Sequence, residues 1–208
     1  MPDPNNCLVH EHKVCFQFIC KAGNTSIKKV LVDLLCKEHE KEHVFKRPNS
    51  KWKYCNKYAI PNNYLVIGFC RNPEDRLISC WRDKVQGEKP FSSFLRQDIP
   101  HRLSFDNFVK KIYSKPTKKC NQHFRLQTYD LNLDRVDAII KMETFDDDWE
   151  KVRKLIYNHC GIKYPKIKPQ NVSKKAPIEI SYETRRMIEN KYLLDYETFG
   201  YELKCRWE

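Results

Sequence analysis

Two short apolar runs, each passing directly into a polar loop and then into a segment of helical periodicity, limit what this chain can fold into. The first run is VCFQFIC, residues 14–20. Its length and its Val, Phe and Ile content predict a buried strand. KAGNTS follows, and then Ile27, Val30, Leu31, Leu34 and Leu35 recur at helical spacing with lysines and glutamates filling the other face. That pattern predicts an amphipathic helix capped at Thr25 or Ser26. The second run, YLVIGFC (64–70), enters RNPEDRLISCWRDK. Here Pro73 suits the first turn of a helix, Glu74 and Asp75 suit its positive end, and Leu77, Ile78 and Trp81 supply an apolar stripe. A third strand is predicted at AIIKME (138–143), ahead of a helix with an acidic start, an apolar stripe (Trp149, Val152, Leu155, Ile156) and a stop at Gly161. Strands alternating with helices predict an α/β fold, a central parallel sheet flanked by helices.

The 208 residues suit one domain with a modest addition. MPDPNNCLVHEHK (1–13) reads as an N-terminal extension and 14–208 as a single domain. Residues 46–63, with Pro48 and Pro61, read as a surface connection, and 86–104 as a loop. FDNFVKKIY reads as a short amphipathic helix, 163–178 as irregular, and SYETRRMIENKYLLDYETFGY as a closing helix with an aromatic tail. No stretch approaches the roughly 18 apolar residues of a membrane span, and the N-terminus lacks the apolar core of a signal peptide. As written, the chain is expected to be soluble.

Charge narrows the class of partner. Lys and Arg number 39 against 27 acids, a net +12, which favours a polyanion: nucleic acid, anionic lipid, acidic polysaccharide or a multiply phosphorylated nucleotide. Ten cysteines occur without one CxxC pair, which argues against zinc ribbons and thioredoxin-like chemistry. Cys15, Cys20 and Cys70 sit in apolar runs as small hydrophobes, whereas Cys55, Cys120 and Cys205 lie in polar stretches and could pair in an oxidising compartment. No metal-ligand spacing is present, so no metal is expected.

In an open parallel sheet, ligands bind at the carboxyl ends of the strands. The loop after the first strand offers Lys21, Gly23, Asn24, Thr25 and Ser26 at a strand-to-helix junction. A glycine admits close approach of a phosphate to the backbone, and the helix N-terminus adds unpaired N–H groups. An ordinary capped turn would carry similar residues. The nucleoside-triphosphate loop GxxxxGK[ST] does not fit, because Lys21 precedes the glycine and the first glycine is missing. The second loop presents Arg71 directly off a strand, with Ser79 eight residues on. Arg71 suits bidentate grip of a phosphate, and Ser79 can add a hydroxyl from the helix.

These segments together resemble the Golgi carbohydrate sulfotransferases of the chondroitin and dermatan type. VCFQFICKAGNTSIKKVL is similar to that family's 5′-phosphosulfate strand-loop-helix. FCRNPEDRLISCWRDK is similar to its 3′-phosphate segment, Arg-x-Pro-x-x-Arg-Leu-x-Ser. FDNFVKKI, NQHF (121–124, with Phe124 in place of Trp), IIKMETF and LLDYETFGYEL resemble later elements in the same order. The resemblance implies a P-loop-like sulfotransferase fold and 3′-phosphoadenosine 5′-phosphosulfate as sulfuryl donor. It also implies a hydroxyl acceptor on a carbohydrate, which the basic charge would suit if the glycan is acidic. Lys21, Ala22, Gly23, Asn24, Thr25 and Ser26 would then hold the 5′-phosphosulfate, with Lys21 also neutralising charge on the leaving oxygen. Arg71 and Ser79 would hold the 3′-phosphate, and Ser173 and Lys174 would lie where relatives close over the nucleotide. Relatives work in the Golgi lumen behind an anchor that this sequence does not display. The stretch between Lys84 and Ser104 is compact, so the acceptor loops are expected to be reduced.

Sulfuryl transfer to an alcohol needs a base. His123, in NQHF, is the first candidate because imidazole titrates near neutrality. His101 is second and Glu143 third. Two other classes fit part of the pattern. An atypical kinase would want ATP with magnesium, and a basic nucleic-acid-binding module would explain charge and aromatics. The latter leaves unexplained why anion-binding residues follow two buried strands.

Overall fold

The computed structural model describes residues 3–35, 52–167 and 177–205. In chain order the first elements are β1 (Asp3–Val9), β2 (Val14–Gln17), α1 (Asn24–Leu35), β3 (Trp52–Cys55) and β4 (Leu65–Cys70). Next come α2 (Pro73–Cys80), α3 (Ser92–Leu95), α4 (Phe105–Tyr113), α5 (Gln127–Asp130) and β5 (Ala138–Lys141). The last are α6 (Phe145–Cys160), α7 (Tyr182–Lys191) and α8 (Leu193–Phe199). Two compact units are formed: Met1–Cys70 with Leu131–Val172, and Arg71–Asp130 with Ser173–Glu208.

The first unit holds all five strands, in the order β3-β1-β2-β4-β5. β2, β4 and β5 pair in parallel, as the alternation of strands and helices predicts. β1 pairs antiparallel with both β2 and β3, so the sheet is mixed. The segment set aside as an extension, 1–13, therefore carries a strand, and the presumed connection 46–63 carries another. Register explains the two faces. Phe16 lies opposite Ile67, and two residues on Phe69 lies opposite Ile140, so these apolar side chains share one face. On that face Tyr164 packs against Phe16, and Trp149 of α6 packs against Tyr164. The other face sets Cys15 and Val66 against Leu8, Ile60 and Tyr64. Gln17 spans this unit by donating to Asn6 Oδ1 (3.0 Å) and accepting from the Asn132 N–H (3.2 Å). A Cβ on Gly68 in β4 would sit 2.8 Å from Ile139 Cδ1 on the paired strand, so that side chain packs directly over the glycine.

α6 follows its expected pattern, with Asp146, Asp147 and Asp148 in the first turn and Gly161 ending it at φ 73°. Its buried positions are Phe145, Trp149, Val152 and Ile156. Leu155, expected on that stripe, is exposed. His159, near its far end, bonds through Nε2 to the Lys13 carbonyl just ahead of β2 (3.0 Å).

The second unit is helical around a core of aromatic residues, among them Phe94, Phe108, Phe124 and Tyr192. α2 opens as the sequence predicts. Asn72 caps it, accepting from the Glu74 and Asp75 N–H groups, and Pro73 follows at the first position. The chain leaves α2 through a wider turn, Trp81–Val85, closed by the Gln86 N–H on the Trp81 carbonyl (2.9 Å). The presumed loop 86–104 contains α3 and is braced internally: His101 Nε2 bonds to the Gly87 carbonyl (2.7 Å), and Trp81 Nε1 donates to the Leu103 carbonyl (2.8 Å). Cys120 and Cys205 are buried here instead of lying in polar surface, and both are free thiols.

Candidate active site

In the first unit the candidate residues follow β2. The ladder stops at Gln17, and after Phe18 and Ile19 the chain makes a tight turn closed by the Ala22 N–H on the Ile19 carbonyl (3.1 Å). Lys21 is the third residue of that turn and takes φ 70°. A left-handed conformation is costly for a lysine, and such residues concentrate at functional sites. Ala22 is fully buried and anchors the turn. Gly23, at φ 71°, sends the chain into α1, which opens at Asn24. Thr25 and Ser26 therefore lie inside the first helical turn, which corrects the expectation that one of them is the N-cap. The positive φ favours glycine here, and a Cβ on it would push aside the flexible end of Met142, whose Sδ and Cε would lie 2.6 Å away. Met142 follows β5 directly, so this glycine is where the turn meets the end of a second parallel strand.

Lysine, a bare glycine backbone and the N-terminus of a 12-residue helix form an arrangement suited to an anion. Asn24 supports that fit, since its Oδ1 is buried with no partner among the described residues. Turned by half a rotation, the same amide presents Nδ2 donors to a phosphate or sulfate oxygen. Glu143, the third base candidate, is exposed in the turn after β5. Ser173 and Lys174 lie outside the described residues.

In the second unit Arg71 is the first residue after β4, and its main chain is locked by the side chain of a fully buried glutamine. Its N–H donates to Gln127 Oε1 (3.0 Å), and its carbonyl accepts from Gln127 Nε2 (2.8 Å). Gln127 is fixed in turn by Asp195 of α8, whose carboxylate accepts from the Gln127 N–H (2.9 Å), the Thr128 N–H (2.9 Å) and Thr128 Oγ1 (2.9 Å). Burial pushes the Asp195 carboxyl up, against the pull of these donors and of Arg76. Ser79 is half-buried in the last turn of α2.

Arg76, the second arginine of the motif, does not face solvent. It is 2% exposed, and its Nη1 and Nη2 donate to the carbonyls of Arg125 (2.7 Å) and Gln122 (3.0 Å). Tyr192 Oη donates to the intervening Phe124 carbonyl (2.5 Å). Asn121 closes the same turn from within, its carbonyl accepting from the Phe124 and Arg125 N–H groups. Three fixed donors therefore hold the backbone on either side of His123. The ring of His123 stands edge-on to Phe91 (5.3 Å between centroids) and Phe94 (6.0 Å), and its Nδ1 lies 2.6 Å from Asn121 Oδ1. His101, the second base candidate, spends Nε2 on the Gly87 carbonyl and acts as a brace.

The sequence singles out Gly23 and Arg71 as candidates, but not the side chains that meet them, Met142 and Gln127, nor Asp195 behind Gln127. Met142 and Asp195 lie inside quoted segments, IIKMETF and LLDYETFGYEL, but nothing local marks their partners, which lie far away in the chain. Among the described residues, no group of three or more His, Cys, Asp or Glu side chains is placed to hold a metal ion, and no helix is long and apolar enough to cross a membrane.

The first unit is an α/β sheet with a parallel centre, β2-β4-β5, in which β2 is followed by a tight turn and a helix. A family model described as the sulfotransferase family matches residues 7–202, and the chain belongs to that family, whose members transfer sulfuryl groups. No curated protein and no solved structure matches the chain.

Proposed function

We propose that this protein is a carbohydrate sulfotransferase that takes its sulfuryl group from 3′-phosphoadenosine 5′-phosphosulfate. The observation that carries the reading is the turn Ile19–Ala22, which holds Lys21 at φ 70° immediately before Gly23 and the head of α1. A lysine kept in that conformation, beside a glycine whose φ of 71° strains any other residue, fits a loop built for the phosphosulfate end of a nucleotide. Residues 14–208 serve as one sulfotransferase domain, a reading supported by a family match that runs through both units.

In this reading Lys21, Ala22, Gly23, Asn24, Thr25 and Ser26 bind the 5′-phosphosulfate, and Arg71 and Ser79 bind the 3′-phosphate. By the family resemblance, Ser173 and Lys174 belong to the same nucleotide-binding set. His123 removes the proton from the acceptor hydroxyl as its oxygen bonds to sulfur. The bond from sulfur to the phosphate oxygen breaks, and Lys21 balances the charge left on that oxygen. The carbohydrate acceptor rests on the resemblance of the segments taken together, and the basic chain favours an acidic glycan.

Calorimetric titration with 3′-phosphoadenosine 5′-phosphate, beside ATP with magnesium, tests the donor. Binding of the former that Arg71→Ala abolishes is the expected result. A folded protein that binds neither nucleotide would sink the reading.

A further inference from the structure

Three side chains in the second unit form a line that ends on the candidate base. Asn121 Nδ2 lies 2.6 Å from Ser93 Oγ, and Asn121 Oδ1 faces both the main-chain N–H of His123 (3.0 Å) and its Nδ1 (2.6 Å). The orientation of the asparagine is not arbitrary. A main-chain N–H can only donate, so the amide atom facing it must be the oxygen. That same oxygen then faces Nδ1, and a contact of 2.6 Å between two acceptors would be repulsive, so the proton of the neutral ring sits on Nδ1. The other ring nitrogen, Nε2, is left with the lone pair.

We infer that Asn121 is a positioning residue that selects the Nδ1-protonated form of His123, with Ser93 fixing the amide that does so. The inference rests on the reading of His123 as the base and adds what makes the ring basic at the right atom. Packing supports the same end. Phe91 and Phe94 meet the ring edge-on at 77° each, which opposes a ring flip that would exchange the two nitrogens. Arg76 and Tyr192 hold the backbone of the same turn, so ring and amide are referred to one rigid segment. Asparagine performs this task without adding charge next to the ring.

The experiment is nitrogen-15 correlation spectroscopy of the imidazole groups in the intact protein at about pH 8.5, some two units above the ordinary imidazole value. His123→Gln identifies the His123 signals among the seven histidines. The wild type is expected to show a protonated Nδ1 and an unprotonated Nε2. Asn121→Ala should move the proton toward Nε2, the form that a free imidazole favours. In the same variant kcat should fall on the order of tenfold to a hundredfold, with 3′-phosphoadenosine 5′-phosphate binding unchanged. Ser93→Ala should shift the tautomer partway and serves if Asn121→Ala does not fold. A wild-type ring protonated on Nε2 would overturn the inference whatever the kinetics show. The predicted tautomer together with full turnover by His123→Gln would support the inference and overturn the base assignment on which its purpose rests.

Discussion

Gly23 faces the thioether of Met142 so closely that a methyl group on its α-carbon would come within 2.6 Å of both sulfur and terminal carbon. The turn after β2 and the turn after β5 thus share one contact, which a side chain at position 23 would push aside. Gly23→Ala must adopt a left-handed conformation and displace Met142. A stability loss of about 1–3 kcal/mol by urea unfolding is expected, with nucleotide affinity lowered as the turn shifts. A variant that binds and unfolds like the wild type would show that the turn tolerates rearrangement.

The two motif arginines should fail differently. Arg76→Met leaves two half-buried carbonyls without their donors and should lower stability by about 2–4 kcal/mol. Arg71→Ala keeps the main-chain bonds to Gln127, so it should lose nucleotide binding while unfolding close to the wild-type midpoint. Urea curves and calorimetry on the two variants separate the roles. Equal stability losses would contradict the assignment.

Asp148 gives a test in pH. Burial pushes its carboxyl up, but the Thr144 hydroxyl, the Lys141 N–H and Lys151 together outweigh it and hold the carboxyl below its ordinary value. A depressed carboxyl stabilises the fold above the unfolded value of about 3.9, and the gain is lost as pH falls through the folded value. The stability gap between wild type and Asp148→Asn should therefore be constant near neutrality and close in acid. A gap that widens on acidification would reverse the sign.

Cys7 should be chemically silent. It is 3% exposed, and burial pushes its thiol up to about 12 against the opposing pull of Lys28. At about pH 8 its thiolate is then scarce, and alkylation by iodoacetamide should require unfolding. Cys20, half-buried beside Lys21, should react first in the native protein. Mass mapping of labelled sites reads the order.

Where a segment announces itself by its own chemistry, the sequence is enough. β2, β4 and β5 are apolar runs, α4 spans the predicted residues, and α6 ends at its glycine. β1 and β3 escape notice for a physical reason. DPNNCLV opens on Pro and Asn residues that read as a turn, and WKYC is only four residues long; they become strands because β2 offers β1 a ladder and β1 offers β3 another. The candidate site divides in the same way. Lys21, Arg71 and His123 stand in recognisable local patterns, whereas Asp195 reaches Gln127 across 68 positions and Arg76 reaches Arg125 across 49. Such pairings are decided by packing and leave no mark at either end. Asn121 was two residues from His123 and inside the quoted segment. What the sequence could not reveal was the direction of its amide.

Strand β1 occupies the side of β2 away from β4 and satisfies the main-chain groups there. A version of this chain cut to begin at Val14, where the apolar pattern first declares itself, would strip those groups of their partners. The strand leading to Lys21 would become an open edge, a template on which a second copy could lay a strand of its own. The unassuming polar segment at the start of the sheet is what keeps that strand from pairing with strangers.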